Sequence, residues 1–105
     1  MAKRSIIWTQ TAVKQRRAIL NYWIKRNHSV KFAQKLIQEI KEKSEIIAQN
    51  PEAFVTTDYP ETRISAMGHY SILYKITDTQ IIITAFWDNR QNPQKLLDLL
   101  TKNIL

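Results

Sequence analysis

The chain predicts an α+β fold, in which an N-terminal strand and a helix hairpin precede an antiparallel three-strand meander and a short C-terminal helix. Three observations carry that expectation. Tyr70, Ile72, Tyr74 and Ile76 alternate with His69, Ser71, Leu73 and Lys75, which is the period of a half-buried strand. Residues 80–87 form a β-branched and aromatic run, with Ile81 and Ile83 opposing Ile82, Thr84 and Phe86. Both faces of that run are apolar, as in a strand inside a sheet. Between residues 10 and 50 the apolar period lengthens to that of amphipathic helices.

Taken in order, Ser5 to Trp8 is a short apolar segment that reads as the first strand, and Thr9 or Thr11 can cap the helix after it. That helix is expected to run to about Arg26. Ala12, Val13, Leu20, Trp23 and Ile24 make its core-facing stripe, and Lys14, Arg17, Asn21 and Lys25 its outer one, flanked by Arg16 and Arg26. Trp23 shares a face with Leu20 and so reads as a core anchor rather than a base-stacking residue. Asn27, His28 and Ser29 break the pattern, with Ser29 a suitable cap for a second helix that stops before Asn50-Pro51. Ala33, Leu36, Ile37, Ile40, Ser44 and Ile47 form its expected buried face; Lys35, Glu39, Glu42 and Lys43 sit on the solvated one. After an irregular loop from Pro51 to Pro60, Thr62 to Met67 alternates as a third strand, and Gly68 permits a tight turn into the hairpin. Leu96, Leu97, Leu100 and Ile104 then recur at helical spacing. This last helix either docks on the chain's own sheet or offers an apolar stripe to a partner.

At 105 residues the chain is expected to be one domain, 1–105, with 94–105 a helical extension. The absence of cysteine removes disulfide and thiolate chemistry and fits a reducing, cytoplasmic setting. The opening MAKRSIIWTQ is too short in apolar residues for a secretion signal or a membrane span, so no membrane partner is expected. Charge is the most informative global property. Residues 1–38 hold nine basic residues and no acid, whereas from residue 44 onward five basic residues face seven acidic ones. A field of one sign attracts its opposite over a Debye length of ~8 Å. Lys14, Arg17, Lys25 and Lys35 are therefore candidate nucleic-acid-binding residues, the alternative being a solvated, solubilising face.

The order of elements, together with IIWTQTA, the Pro51-Glu52 loop, RISAMGHYSILYKI and IIITAFWDNRQNP, resembles the RelE/ParE superfamily of small bacterial toxins from type II toxin–antitoxin operons over residues 5–93. The resemblance implies a cytoplasmic toxin neutralised by a cognate antitoxin protein, with no cofactor or metal. Its expected action is growth inhibition by cleavage of mRNA on the ribosome, as a metal-independent endoribonuclease. The alternative is a non-enzymatic poison of DNA gyrase, and the more distant one a basic nucleic-acid-binding module.

Two positions depart from the nuclease pattern of that superfamily. Ser71 stands where nuclease members carry an arginine, and Trp87-Asp88-Asn89-Arg90 stands where many carry a tyrosine or histidine. RNA cleavage without a metal needs a base for the 2′-hydroxyl, an acid for the leaving oxygen and cations for the developing phosphate charge. The candidates are His69 or Asp88 as base, Tyr70 as acid, and Arg63, Lys75 and Arg90 as cations. Each has a structural alternative. Tyr70 alternates with Ile72 and Tyr74 as a core residue would, Lys75 can be solvated, and Asp88 with Arg90 can cap a turn or form a surface pair.

Overall fold

The computed structural model describes residues 4–92, 94–96 and 98. Strand β1 (Ser5–Trp8) leads into helices α1 (Gln10–Asn27) and α2 (Lys31–Gln49); a short strand β2 (Val55–Thr56) and the meander β3 (Thr62–Met67), β4 (Tyr70–Ile76) and β5 (Gln80–Asp88) follow. Residues 94–96 and 98 are helical, which supplies the short C-terminal helix. The α+β expectation therefore holds, with two additions. The sheet order is β1-β5-β4-β3-β2, and β1 joins β5 in parallel while the other pairs are antiparallel. The loop after α2, expected to be irregular, opens with a turn of 3₁₀ helix at Pro51–Ala53 and contributes β2 to the sheet edge.

Local signals act much as the residue types dictate. Thr9 is the N-cap of α1, its hydroxyl accepting the amide of Ala12 at 3.2 Å. The helix ends at His28, whose left-handed backbone (φ 50) stops the run. Ser29 precedes rather than caps α2: Val30 holds the cap position, and Ser29 Oγ accepts from the Lys31 amide instead. Gly68 has φ +63 at the β3–β4 turn, a conformation that disfavours a side chain even though a Cβ there would meet nothing within 4 Å.

The main core lies between the helices and one face of the sheet, where Ala12, Leu36, Ile40 and Ile47 pack against Ile72, Tyr74, Ile81, Ile83 and Phe86. Ile37, expected on the buried face of α2, is instead 50% exposed. It borders an open groove between β1, α1 and α2, lined also by Ile6, Trp8, Leu20 and Lys41. The other face of β4, which carries Ser71, Leu73 and Lys75, is not left to solvent as half-burial would require. Leu73, Ala85 and Trp87 form a second cluster, with Tyr59, Ile64 and Leu96 packed on it. Leu96 thus docks on the chain's own sheet; Leu97, Leu100 and Ile104 lie outside the described residues.

One irregularity rearranges the last strand. Between β4 and β5 the register slips at Leu73/Tyr74: Leu73 faces Ala85 while Tyr74 faces Ile83, so Thr84 is the extra residue of a β-bulge. Its hydroxyl donates to the Leu73 carbonyl at 3.3 Å. Strict alternation would place Phe86 beside Ile82 and Thr84, but the bulge returns Phe86 to the face of Ile81 and Ile83. The same shift sends Trp87 to the outer face and brings Asp88 opposite Tyr70.

Candidate functional site

The geometry at the end of β5 follows from where β1 stops. Beyond Trp8, which pairs with Ile83, β5 has no strand on that side. Helix α1 takes over the open edge: the Thr9 hydroxyl donates to the Thr84 carbonyl at 3.4 Å, and the Gln15 side-chain oxygen accepts the Phe86 amide at 2.9 Å. A buried backbone donor is costly to leave unpaired, so these bonds hold α1 against β5. The C-terminal half of α1 then diverges over the strand end and leaves a cleft of about 370 Å³.

Ala18, Ile19, Tyr22 and Trp23 form the helix side of this cleft, and Tyr70, Asp88 and Arg90 the sheet side. Tyr70 is 5% exposed, stacked on Phe86 at 5.3 Å between ring centroids, and its hydroxyl accepts the Trp23 indole N–H at 2.7 Å. Trp23, expected as a core anchor beside Leu20, is instead partly buried in the cleft wall, where its ring meets Tyr22 and Phe32 and its polar atom is satisfied by Tyr70. Asp88 accepts twice from the Arg90 guanidinium, at 3.0 Å and 2.8 Å, and once more from the Arg90 amide at 2.9 Å. The guanidinium hydrogen bond to Arg90 is the main cause that holds the Asp88 carboxyl below its usual range, with His69 adding a smaller electrostatic contribution. Ser71 donates to the Asn89 side-chain oxygen at 2.8 Å, which ties the turn after β5 back to β4.

The structure brings together Tyr70, Asp88 and Arg90, with the exposed His69 beside them at the β3–β4 turn. It does not bring Arg63 or Lys75 to that place. Arg63 donates through one terminal nitrogen to the carbonyls of Glu52 at 3.1 Å and Phe54 at 2.7 Å, so its charge fastens the loop after α2. Lys75 lies five residues along β4 from Tyr70, roughly 17 Å at ~3.3 Å per residue, and pairs in register with Thr62 and Ile82. Lys14, Arg17, Lys25 and Lys35 are exposed. Arg16, by contrast, lies over the Trp8 ring at 4.3 Å.

The sequence pattern did not mark Tyr22, which is 53% exposed at the cleft mouth, and placed Arg26 only as a flank of the basic stripe; Arg26 donates to the Tyr22 hydroxyl at 3.4 Å. The signal was present: Ala18, Tyr22 and Arg26 repeat at four-residue spacing and form one row on α1. Among the described residues, no three His, Asp or Glu side chains converge as metal ligands, and no helix is long and apolar enough to cross a membrane.

A family model described as the ParE toxin of the type II toxin–antitoxin system, parDE, matches residues 6–93. No curated protein matches the chain. Among solved structures, a chain from "Chromosomal ParDE TA system from P. aeruginosa" has a similar fold, with a TM-score of 0.71 and 21% identity. The likeness covers 82% of the present chain and 96% of that one.

Proposed function

The chain belongs to the ParE toxin family of type II toxin–antitoxin systems, and from that premise we propose that it stops growth by binding and poisoning DNA gyrase rather than by cutting mRNA on the ribosome. As a type II toxin it has a cognate antitoxin protein as its partner. The carrying observation is the dispersal of the cations that RNA cleavage needs and the engagement of the groups that do meet. Arg63 is engaged by two backbone carbonyls, and Lys75 stands far along β4. Asp88 is bound by Arg90, and its lowered pKa makes it a weak base. Tyr70 is buried with its hydroxyl bonded to Trp23, and Ser71 turns to Asn89 instead of supplying a cation. Among the described residues, Tyr70, Asp88 and Arg90 meet beside His69 with one cation between them, and Arg63 and Lys75 stand elsewhere, so the developing phosphate charge lacks its set of donors. A poison needs none; it needs a surface.

Two surfaces suit the two partners of such a toxin. The acid-free α1 face, with Lys14, Arg17 and Lys25 exposed, suits an enzyme that carries DNA. The open groove of about 450 Å³ beside β1 suits the antitoxin, because β1 is an edge strand whose Ile6 and Trp8 line the groove and the half-exposed Ile37 lies across it. The deciding experiment pairs a supercoiling assay using purified gyrase with primer extension on ribosome-associated mRNA after induction. Inhibited supercoiling with uncut mRNA is the expected result. Codon-phased cuts with gyrase fully active would overturn it.

A further inference from the structure

We propose that the cleft at the end of β5 seats one unstacked base of single-stranded DNA, with Tyr22 as the stacking platform and Arg26 and Arg90 on the flanking phosphates. The strand reaches the cleft along the basic stripe of α1. The inference rests on the gyrase reading only for the choice of DNA as the polymer.

Four observations point to this ligand. First, Tyr22 is an exposed ring that is nonetheless held, lying edge-on to Trp23 at 5.1 Å and 80°, while Trp23 is fixed by Tyr70 and by Phe32 at 4.8 Å. A ring already ordered loses little freedom on stacking, and base–aromatic stacking is worth ~1–3 kcal/mol per base. Second, two guanidinium groups border that ring. Arg26 bonds the Tyr22 hydroxyl at 3.4 Å, and Arg90 lines the same cleft as Tyr22 and Tyr70. Asp88 occupies two of the donors on Arg90 and fixes its plane, so the remaining N–H groups of a side chain 52% exposed point outward in a set geometry.

Third, α1 carries no acidic residue, and Lys14, Arg17, Asn21 and Lys25 follow one another at three- and four-residue spacing, a track for a phosphate backbone. Fourth, the middle of the cleft is not itself cationic. Asp88, Gln91 and the Tyr70 hydroxyl line it, so a carboxylate from an acidic peptide would meet Asp88, whereas a neutral ring with polar edges would not. Cationic rim, aromatic wall and uncharged or acidic floor together suit a nucleotide better than an acidic protein segment. The base must be free of its neighbours to enter, which selects single-stranded over duplex DNA.

Fluorescence anisotropy with the full chain tests this, using a short labelled thymidine oligonucleotide, an abasic strand of equal length, a duplex and a polyglutamate peptide of equal charge. The base-bearing strand should bind about 10-fold more tightly than the abasic one. Tyr22→Ala should erase that difference and Tyr22→Phe should keep it, while Arg90→Gln should weaken both strands by a similar factor. Thermal melting of each variant checks that the fold is retained. Equal affinity for base-bearing and abasic strands, preference for the duplex, or polyglutamate binding as tight as DNA would each overturn the seat. A wild-type chain that inhibits gyrase without any base preference removes the seat and leaves the target standing. Base preference in a chain that leaves gyrase active does the reverse.

Discussion

Arg63 and Arg90 are the two arginines of the second half of the chain, and the fold gives them opposite fates. Arg63 begins on β3 opposite Tyr74 and reaches the loop after α2, where it bonds two carbonyls; Tyr74 bonds a third in the same loop, from Pro51, at 2.6 Å. Arg90 follows β5, pairs with Asp88 alone among the described residues, and keeps half of its side chain in solvent. The first arginine ties two carbonyls of that loop, one exposed and one part-buried, to β3. The second has its charge balanced on one side and its donors free on the other. A cation surrounded by carbonyls serves stability, and one held by a single carboxylate at a cleft mouth remains available to an anion.

The largest expected effect is therefore at the first arginine. Arg63→Ala leaves the Glu52 and Phe54 carbonyls without their donor and should lower stability by about 1 kcal/mol, read as a drop in the urea midpoint at unchanged slope. A change below ~0.5 kcal/mol would erase the contrast with Arg90.

The next effect is alkaline. Burial pushes the Tyr74 hydroxyl up to about 12, against an unfolded value of 10.0. Above pH 10 the unfolded chain releases this proton while the folded chain keeps it. The stability that Tyr74 contributes is thus intact below pH 10 and is lost as pH rises toward about 12. Tyr74→Phe should flatten that part of a melting-temperature profile and leave a constant deficit at neutral pH from the unpaired Pro51 carbonyl.

At the other arginine the order of effects should invert. Arg90→Gln should leave the urea midpoint nearly unchanged while reducing gyrase inhibition several-fold at equal folded concentration. Loss of both together would mean that Arg90 is structural after all.

The smallest effect concerns its partner. Asp88 has a lowered folded pKa, so its pairing contributes above the unfolded carboxylate pKa and is lost as pH falls through the folded one. With Arg90 half in solvent, that contribution is under about 1 kcal/mol. Asp88→Asn should remove a shallow acid-side decline in stability below about pH 4 and little else. A steep acid transition that survives the substitution would assign the decline to other carboxylates.

Sequence by itself determined the elements and their class, because helix and strand periods, caps and turn residues act over a few residues. Thr9 capping α1, the end of α2 before Pro51 and the Gly68 turn were all legible for that reason. It also held the charge asymmetry, which folding cannot alter. Tertiary structure decided the rest through contacts between residues far apart in the chain. Half-burial of β4 failed because Leu96 and Tyr59 arrive from elsewhere to cover Leu73. The positions of Tyr70, Asp88 and Arg90 depended on the extra residue at Thr84, which no glycine announces and which reverses the phase of everything after it on β5. Phe86 then meets the helices, and Gln15, 71 residues away, meets its amide. Side-chain alternation is a local rule, and a single bulge inverts its outcome; only the pairing of β5 with β4 and α1 tells on which face Asp88 emerges.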